Sequence, residues 1–338
     1  MLRVCERLSR LGALFLITIS LCSVPLWADE PAADWVKVTD HAEWRPRDSC
    51  GEVVLDGKMW IMGGWFNSNS EPPSDVWNSV DGKTWTRVAE KSPWKHSDFP
   101  MTLAFRDRMW VMGGWHNGRL PDASASSAVW SSKDGVEWTQ HTPEAGWSPR
   151  LAAGAVIHRD RMWIVGGVEK YYFGDAASLK NDVWSSADGK TWERAVENAG
   201  WTPRAYHQVV SLNGKLYLLG GGNYLPEYQA RNDVWSSEDG VTWTQLTDQA
   251  PWSPRLWFSA VPYHGRLWVL GGWSNNPSKN WSDVWHSADG KTWEKLETPT
   301  MWKERHEHSV YIHDDAIWVA GGMTPPLTND VWKLKLPK

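Results

Sequence analysis

Five arginines, Arg47, Arg150, Arg204, Arg255 and Arg305, stand at equivalent places along the chain. Clustered guanidinium groups bind carboxylate or phosphate through paired hydrogen bonds, so these five are candidate ligand-binding residues. Two of them open runs with further chemistry: Arg204-Ala205-Tyr206-His207, and Arg305-His306-Glu307-His308. Glu and His are the side chains that most often move protons near neutral pH. His306 and His308 alternate along the chain and offer two nitrogens to a metal, fewer than a site of three or four ligands needs, so neither a metal nor another cofactor is expected. A second group is aromatic: Trp65, Trp115 and Trp273 directly follow Gly-Gly pairs, Trp257 sits two residues after Arg255, and Tyr171, Tyr172, Phe173, Tyr224, Tyr228 and Trp281 lie nearby in sequence.

The elements that must position these residues are announced by tryptophan spacing. Trp44, Trp94, Trp147, Trp201, Trp252 and Trp302 open six repeats, and the next aromatic marker (Trp60, Trp110, Trp163, Tyr217, Trp268, Trp318) always follows 16 residues later. The third marker (Trp77, Trp130, Trp184, Trp235, Trp285, Trp332) follows after 17, 20, 21, 18, 17 and 14 residues, so insertion is tolerated in this segment alone. Eight residues then lead to Trp85, Trp138, Trp192, Trp243 and Trp293, and 9 more to the next opening Trp. Repeats of about 50 residues with insertions confined to one segment describe an array whose variable loops gather on one face, often the binding face.

Each repeat carries four strand signals. The first follows the Arg position, the second alternates aromatic and branched residues and ends in Gly-Gly, the third reads Asp-Val-Trp-Ser-Ser or similar, and the fourth Thr-Trp-Glu-Arg or similar. Between the third and fourth lies Ser-x-Asp-Gly, which predicts a tight hairpin with positive φ at both Asp and Gly. The Gly pair predicts a place where backbone approaches backbone. The last repeat ends at its third strand, and Asp34-Trp35-Val36 supplies the fourth, Trp35 preceding Trp44 by the usual 9 residues. The chain's two ends therefore pair and leave no open edge.

Arg after Pro, Gly-Gly after strand two, an aromatic in strand three and Trp in strand four resemble the kelch repeat, over essentially the whole of residues 29–338. The resemblance implies an all-β, six-bladed propeller with blades near 44–93, 94–146, 147–200, 201–251, 252–301, and 302–338 plus 34–40. It also implies that the Arg positions, with Ser97 replacing Arg in the second blade, help to bridge neighbouring blades, and that His207 and His308 hold an aligned structural place. Ser-x-Asp-Gly-x-Thr-Trp also resembles the Asp-box of sialidases, but is one residue short and reads as a structural turn.

Residues 1–28 read as a signal peptide: Arg3, Arg7 and Arg10 precede an uncharged run from Leu11 to Trp27, with Ala28 as a cleavage site. An uncleaved anchor is the alternative, and Leu21 before Cys22 speaks against lipidation. Removing the segment takes away three Arg and one Glu and changes the formal net charge from −5 to −7. Mild acidity without a basic tract excludes nucleic acid and anionic lipid as expected partners. One cysteine, Cys50, then remains, so no internal disulfide is expected. A secreted or periplasmic monomer follows as the expectation, without membrane insertion after cleavage.

Strand direction puts the Arg-bearing loops and the variable loops on one face and the Asp-Gly turns on the other. Of 29 tryptophans, 23 are repeat markers and read as wedges between blades. The remaining aromatics give the variable face a surface suited to a glycan or an extracytoplasmic protein, with Trp65, Trp115, Trp257, Trp273, Arg47, Arg150, Arg204, Tyr206, His207 and Arg255 as candidate ligand contacts. A non-catalytic recognition module is the first reading. The alternative rests on a resemblance to exported six-bladed sialic-acid mutarotases: Arg305 would hold the substrate carboxylate while Glu307 or His308 exchanges the proton. Copper radical oxidases also carry a kelch propeller, but need an additional ligand-bearing domain and paired Tyr and His.

Overall fold

The computed structural model describes residues 33–171 and 175–336. The segment read as a signal peptide, Tyr172 and Phe173 lie outside the described residues. Six four-stranded antiparallel sheets account for nearly all the regular structure, joined by a two-stranded ribbon, Trp115–His116 with Ser124–Ala125. No helix among the described residues is long and apolar enough to cross a membrane.

Blade 1 is typical: Gly51–Leu55, Lys58–Met62, Val76–Ser79 and Thr86–Ala89, in that order from the inside out. The six first strands (Gly51–Leu55, Met101–Ala104, Gly154–His158, Gln208–Leu212, Ser259–Tyr263 and Ser309–His313) neighbour one another in a closed cycle and line a central channel. In blade 6 the outermost strand is Asp34–Thr39, paired antiparallel with Val331–Lys335. The ring is closed by the N-terminal strand, as the spacing of Trp35 requires.

The marker tryptophans are wedges. Each opening Trp packs edge-on against the fourth-strand Trp of its repeat, with centroids 5.4–6.1 Å apart and planes at 81–87°. Trp35 with Trp302 is one of these six pairs, so the closing strand contributes the side chain that its register demands. The apolar clusters span adjacent blades: Trp110 and Met112 of blade 2 meet Trp147, Met162 and Ile164 of blade 3 in one core. Burial of that much aromatic area between sheets holds the blades radially.

The expected Ser-x-Asp-Gly hairpin with positive φ at both residues is not what forms. In the Ser-x-Asp-Gly segments only the Gly has positive φ, as at Gly82 with φ 68°. The segment is a side-chain-capped loop: Ser79 Oγ accepts from Gly82 N, and Asp81 Oδ1 accepts from Lys83 N and Thr84 N. The two-residue turns with paired positive φ join the first and second strands, at Asp56-Gly57, Arg106-Asp107, Arg159-Asp160, Asn213-Gly214, His264-Gly265 and Asp314-Asp315. Three of these twelve residues, Arg106, Arg159 and His264, are neither Gly, Asn nor Asp, and the twist of the flanking strands selects this turn in spite of them.

The Gly pairs act as expected. The second Gly donates its N–H to the carbonyl at the Arg position of the next blade in five places: Gly64 to Ser97, Gly114 to Arg150, Gly167 to Arg204, Gly272 to Arg305 and Gly322 to Arg47. At Gly64, with φ 99°, a Cβ would press on the Asp48 carbonyl oxygen.

Candidate functional site

The arginine ring does not face the channel mouth. Arg47, Arg150, Arg204, Arg255 and Arg305 are 0–3% exposed. Each closes its own blade: Nη1 and Nη2 form a fork with the third-strand aspartate (Asp75, Asp182, Asp233, Asp283, Asp330) at 2.5–3.0 Å. Nη1 also donates to the first Gly carbonyl and Nε to the carbonyl two residues upstream, as Arg204 does to Gly220 and Thr202. These guanidinium groups already clamp carboxylates, and the carboxylates are the protein's own. The bridge between blades is made by backbone, through the carbonyls of Arg47, Arg150, Arg204 and Arg305. The same aspartates accept from the third-strand Trp Nε1, as Asp233 does from Trp235 at 2.8 Å. Burial pushes the Asp182, Asp233, Asp283 and Asp330 carboxyls up, but the arginine hydrogen bonds and charge prevail and leave them below the ordinary range.

Arg305 is therefore no clamp for a substrate carboxylate, which removes one member of the trio Arg305, Glu307 and His308. His308 is buried against Trp302, ring centroids 5.5 Å apart, and burial holds its imidazole neutral. His207 is likewise buried, its Nε2 3.0 Å from the Val165 carbonyl oxygen. His306 and His308 do not share the side of one strand, because Glu307 between them has φ 53° and the strand begins only at Ser309.

The mouth is built by the two residues after each Arg position. The first forms a backbone bridge to the residue after Gly-Gly: Asp48 with Trp65, Asp98 with Trp115, Leu151 with Val168, Ala205 with Gly222, Leu256 with Trp273, His306 with Met323. The second is left-handed in every blade, at Ser49, Phe99, Ala152, Tyr206, Trp257 and Glu307, with φ 50–58°. Non-glycine residues adopt this conformation at a cost, tolerated where surrounding bonds over-determine it. Here the bonds run around the channel: Ser49 N donates to Glu307 O, Phe99 N to Ser49 O, Tyr206 N to Ala152 O and Glu307 N to Trp257 O.

The mouth is divided into two sectors. On one side a run of rings passes from Phe99 to Tyr206 (5.7 Å), Trp257 (5.6 Å), Trp273 (5.3 Å) and His306 (6.5 Å), with Tyr171 and Tyr224 packed beside it. On the other side blades 6, 1 and 2 supply Glu307, Asp48, Ser49 and Asp98. With Tyr171, Tyr224, Trp257, Trp273 and His306 from the first side, these four line a cavity of about 270 Å³ that also touches Trp65, Ser68, Arg119 and Met323. It shares the walls Ser49, Trp257 and Glu307 with the channel cavity, where Tyr206 and Glu52 stand.

Trp65, Trp257 and Trp273 line this cavity together, and Trp115 does not: it is 3% exposed and its Nε1 donates to Gly118 O inside its own loop. Trp281 packs against Arg255 and gives its Nε1 to Ser274 Oγ.

The acids of the mouth are strongly perturbed. Burial raises the Asp48 and Asp98 carboxyls well above their ordinary range, helped by the charge of Glu307. Glu307 is raised by burial to about 7, although hydrogen bonds from Ser49 (2.6 Å) and Asp48 oppose the shift. Lower in the channel, burial lifts Glu52 to about 8. Sequence reading named Glu307 but missed Asp48, Asp98 and Glu52. Aligning the positions one and two after each Arg would have found the first two, since polar residues there collect in blades 6, 1 and 2.

Residues 178–338 match the KLHDC2/KLHL20/DRC7 Kelch-repeats domain family, and the same repeat organises the blades that precede them. The chain is a kelch-repeat β-propeller. Among curated proteins, this kelch propeller is 25% identical to alpha-scruin of Limulus polyphemus over 142 residues and 22% identical to beta-scruin of the same organism over 141. These stretches are 41% and 39% of the present chain but only 14% of either scruin.

Proposed function

We propose that this kelch propeller is a recognition module that takes its ligand into the funnel on the variable-loop face. The observation that carries this reading is the unbroken run of rings from Phe99 to His306, drawn from separate blades and ending over a buried polar sector. Kelch propellers typically bind proteins, so a protein partner that inserts a side chain or turn here is the first reading. The aromatic floor favours a glycan as the second, because flat rings beside amide and hydroxyl groups bind a sugar with little ordering entropy. A cavity of about 270 Å³ suits one ring or one side chain, being just below the roughly 300–1,000 Å³ of drug-sized sites. On the strength of residues 1–28, we assign this work to the extracytoplasmic space.

Trp273 is the anchor to test, because it is half-buried while Trp257 is nearly enclosed. Binding of the chain to a glycan panel and to extracytoplasmic proteins should weaken about tenfold or more in Trp273→Ala, as for an aromatic hot spot, with an unchanged circular dichroism spectrum. Undiminished binding in a folded variant would move the site away from this funnel.

A further inference from the structure

We propose that the polar sector of the funnel is a divalent-cation site of the Mn²⁺ or Zn²⁺ type, with carboxylate oxygens of Asp48 and Glu307 and the Nε2 of His306 as ligands and Asp98 completing the charge. The inference does not depend on what the aromatic sector binds.

The donor atoms of Asp48, His306 and Glu307 all lie within 4.8 Å of one another. Ligands about 2.0–2.2 Å from a common ion can be no more than about 4.4 Å apart, so small side-chain rotations suffice. They come from opposite ends of the chain, which ring closure brings together. Three residues of the sector are also held by backbone: Asp48 and His306 through bridges to Trp65 and Met323, and Glu307 through its N–H to the Trp257 carbonyl. The frame therefore stays fixed while small rotations of the side chains close on an ion.

His306 is arranged as a ligand. Asn280 Nδ2 donates to the Met323 carbonyl at 3.0 Å, which fixes its amide, and Asn280 Oδ1 then accepts from His306 Nδ1 at 2.7 Å. A neutral imidazole that donates from Nδ1 to a carbonyl oxygen carries its lone pair on Nε2. This is the outer support that metal-binding histidines usually have. Ser49 Oγ likewise orients Glu307 through a 2.6 Å hydrogen bond.

Asp98 is the independent sign of a missing counter-charge. It is 1% exposed and lines the cavity, and neither carboxylate oxygen has a partner within 3.5 Å, the Ser49 hydroxyl giving only a weaker contact that burial outweighs. An isolated buried carboxylate is costly, and three carboxylates share this cavity with the single guanidinium of Arg119. A dication offsets that excess. One imidazole nitrogen among carboxylate oxygens favours Mn²⁺ or Zn²⁺ over Mg²⁺ and Ca²⁺, which prefer oxygen alone, and over soft ions, which prefer sulfur.

The test is titration of the full chain with Mn²⁺, followed by calorimetry and by loss of the free-ion electron paramagnetic resonance signal, and repeated with Zn²⁺. One saturable site per chain is expected, with a higher melting temperature that falls back on chelation. Asp48→Asn and Glu307→Gln should each weaken Mn²⁺ affinity about tenfold or more, and Asn280→Ala by about tenfold through the histidine. The carboxamide variants should melt no lower than the wild type without metal, which separates loss of binding from loss of fold. Absence of saturable binding of either ion to the wild-type chain overturns the proposal. So does binding undiminished in the Asp48→Asn/Glu307→Gln double variant.

Discussion

Arg204 and its four counterparts engage all three guanidinium nitrogens within one blade, and blade 2 supplies the natural comparison. There Ser97 replaces Arg, Ala128 replaces Asp, and Trp130 consequently lacks the aspartate that the other third-strand tryptophans bond. The unit is lost whole, as expected when half of a buried ion pair is worse than none. Asp233→Ala should therefore lower stability by about 3–5 kcal/mol, because it strands a buried guanidinium. Adding Arg204→Ser should cost much less than the sum of the two single changes. Denaturant midpoints for the wild type, both single variants and the double variant measure this coupling, and strict additivity would refute the unit as described. Sequence reading saw the arginines and the Asp-Val-Trp strands but did not pair them, since 25–32 residues separate the partners. The joint loss in blade 2 was the available signal.

Among the elements, the turns show where local sequence suffices and where packing decides. Gly189 and Gly214 both have positive φ, 73° and 76°. A Cβ at Gly214 would meet nothing within 4 Å, whereas at Gly189 it would enter the ring of Trp110 in the neighbouring blade. Gly214→Ala should cost only the left-handed backbone, about 1–2 kcal/mol. Gly189→Ala should cost about 2–4 kcal/mol, since overpacking adds to it. Equal losses in thermal or urea unfolding would mean that the Ser-x-Asp-Gly loop does not lock blade to blade. The Asp-Gly signal was legible, but the turn that it builds was misread: Ser and Asp side chains cap the loop, so only Gly needs the left-handed region.

For the whole molecule, closure is the decisive event. Asp34–Thr39 contributes one strand of blade 6 and Trp35, which is 1% exposed against Trp302. Trp35→Ala should destabilise the protein by about 3–5 kcal/mol, as for other large core truncations. It should also accelerate exchange of the amide protons of Val331–Lys335 more than those of Leu179–Ser186 in blade 3. Uniform acceleration around the ring would argue against a local seam. The mouth depends on the same closure, because Glu307 and His306 meet Asp48 only when blade 6 docks on blade 1.

The amino-acid sequence by itself determined the blade count, the strand order, the wedge tryptophans, the closing strand and the face on which loops vary. These follow from fixed spacing and from hydrogen-bonding demands that each repeat meets with its own residues or its neighbour's. Only the tertiary structure decided that the arginines are spent internally, that Trp115 turns away from the mouth, and that Asp48, Asp98 and Glu307 share one cavity. The physical reason is that a repeat dictates each blade alike, while a site at the axis is made from the departures between repeats. Residues as far apart as Asp48 and Glu307 are juxtaposed by ring closure, which no local pattern records.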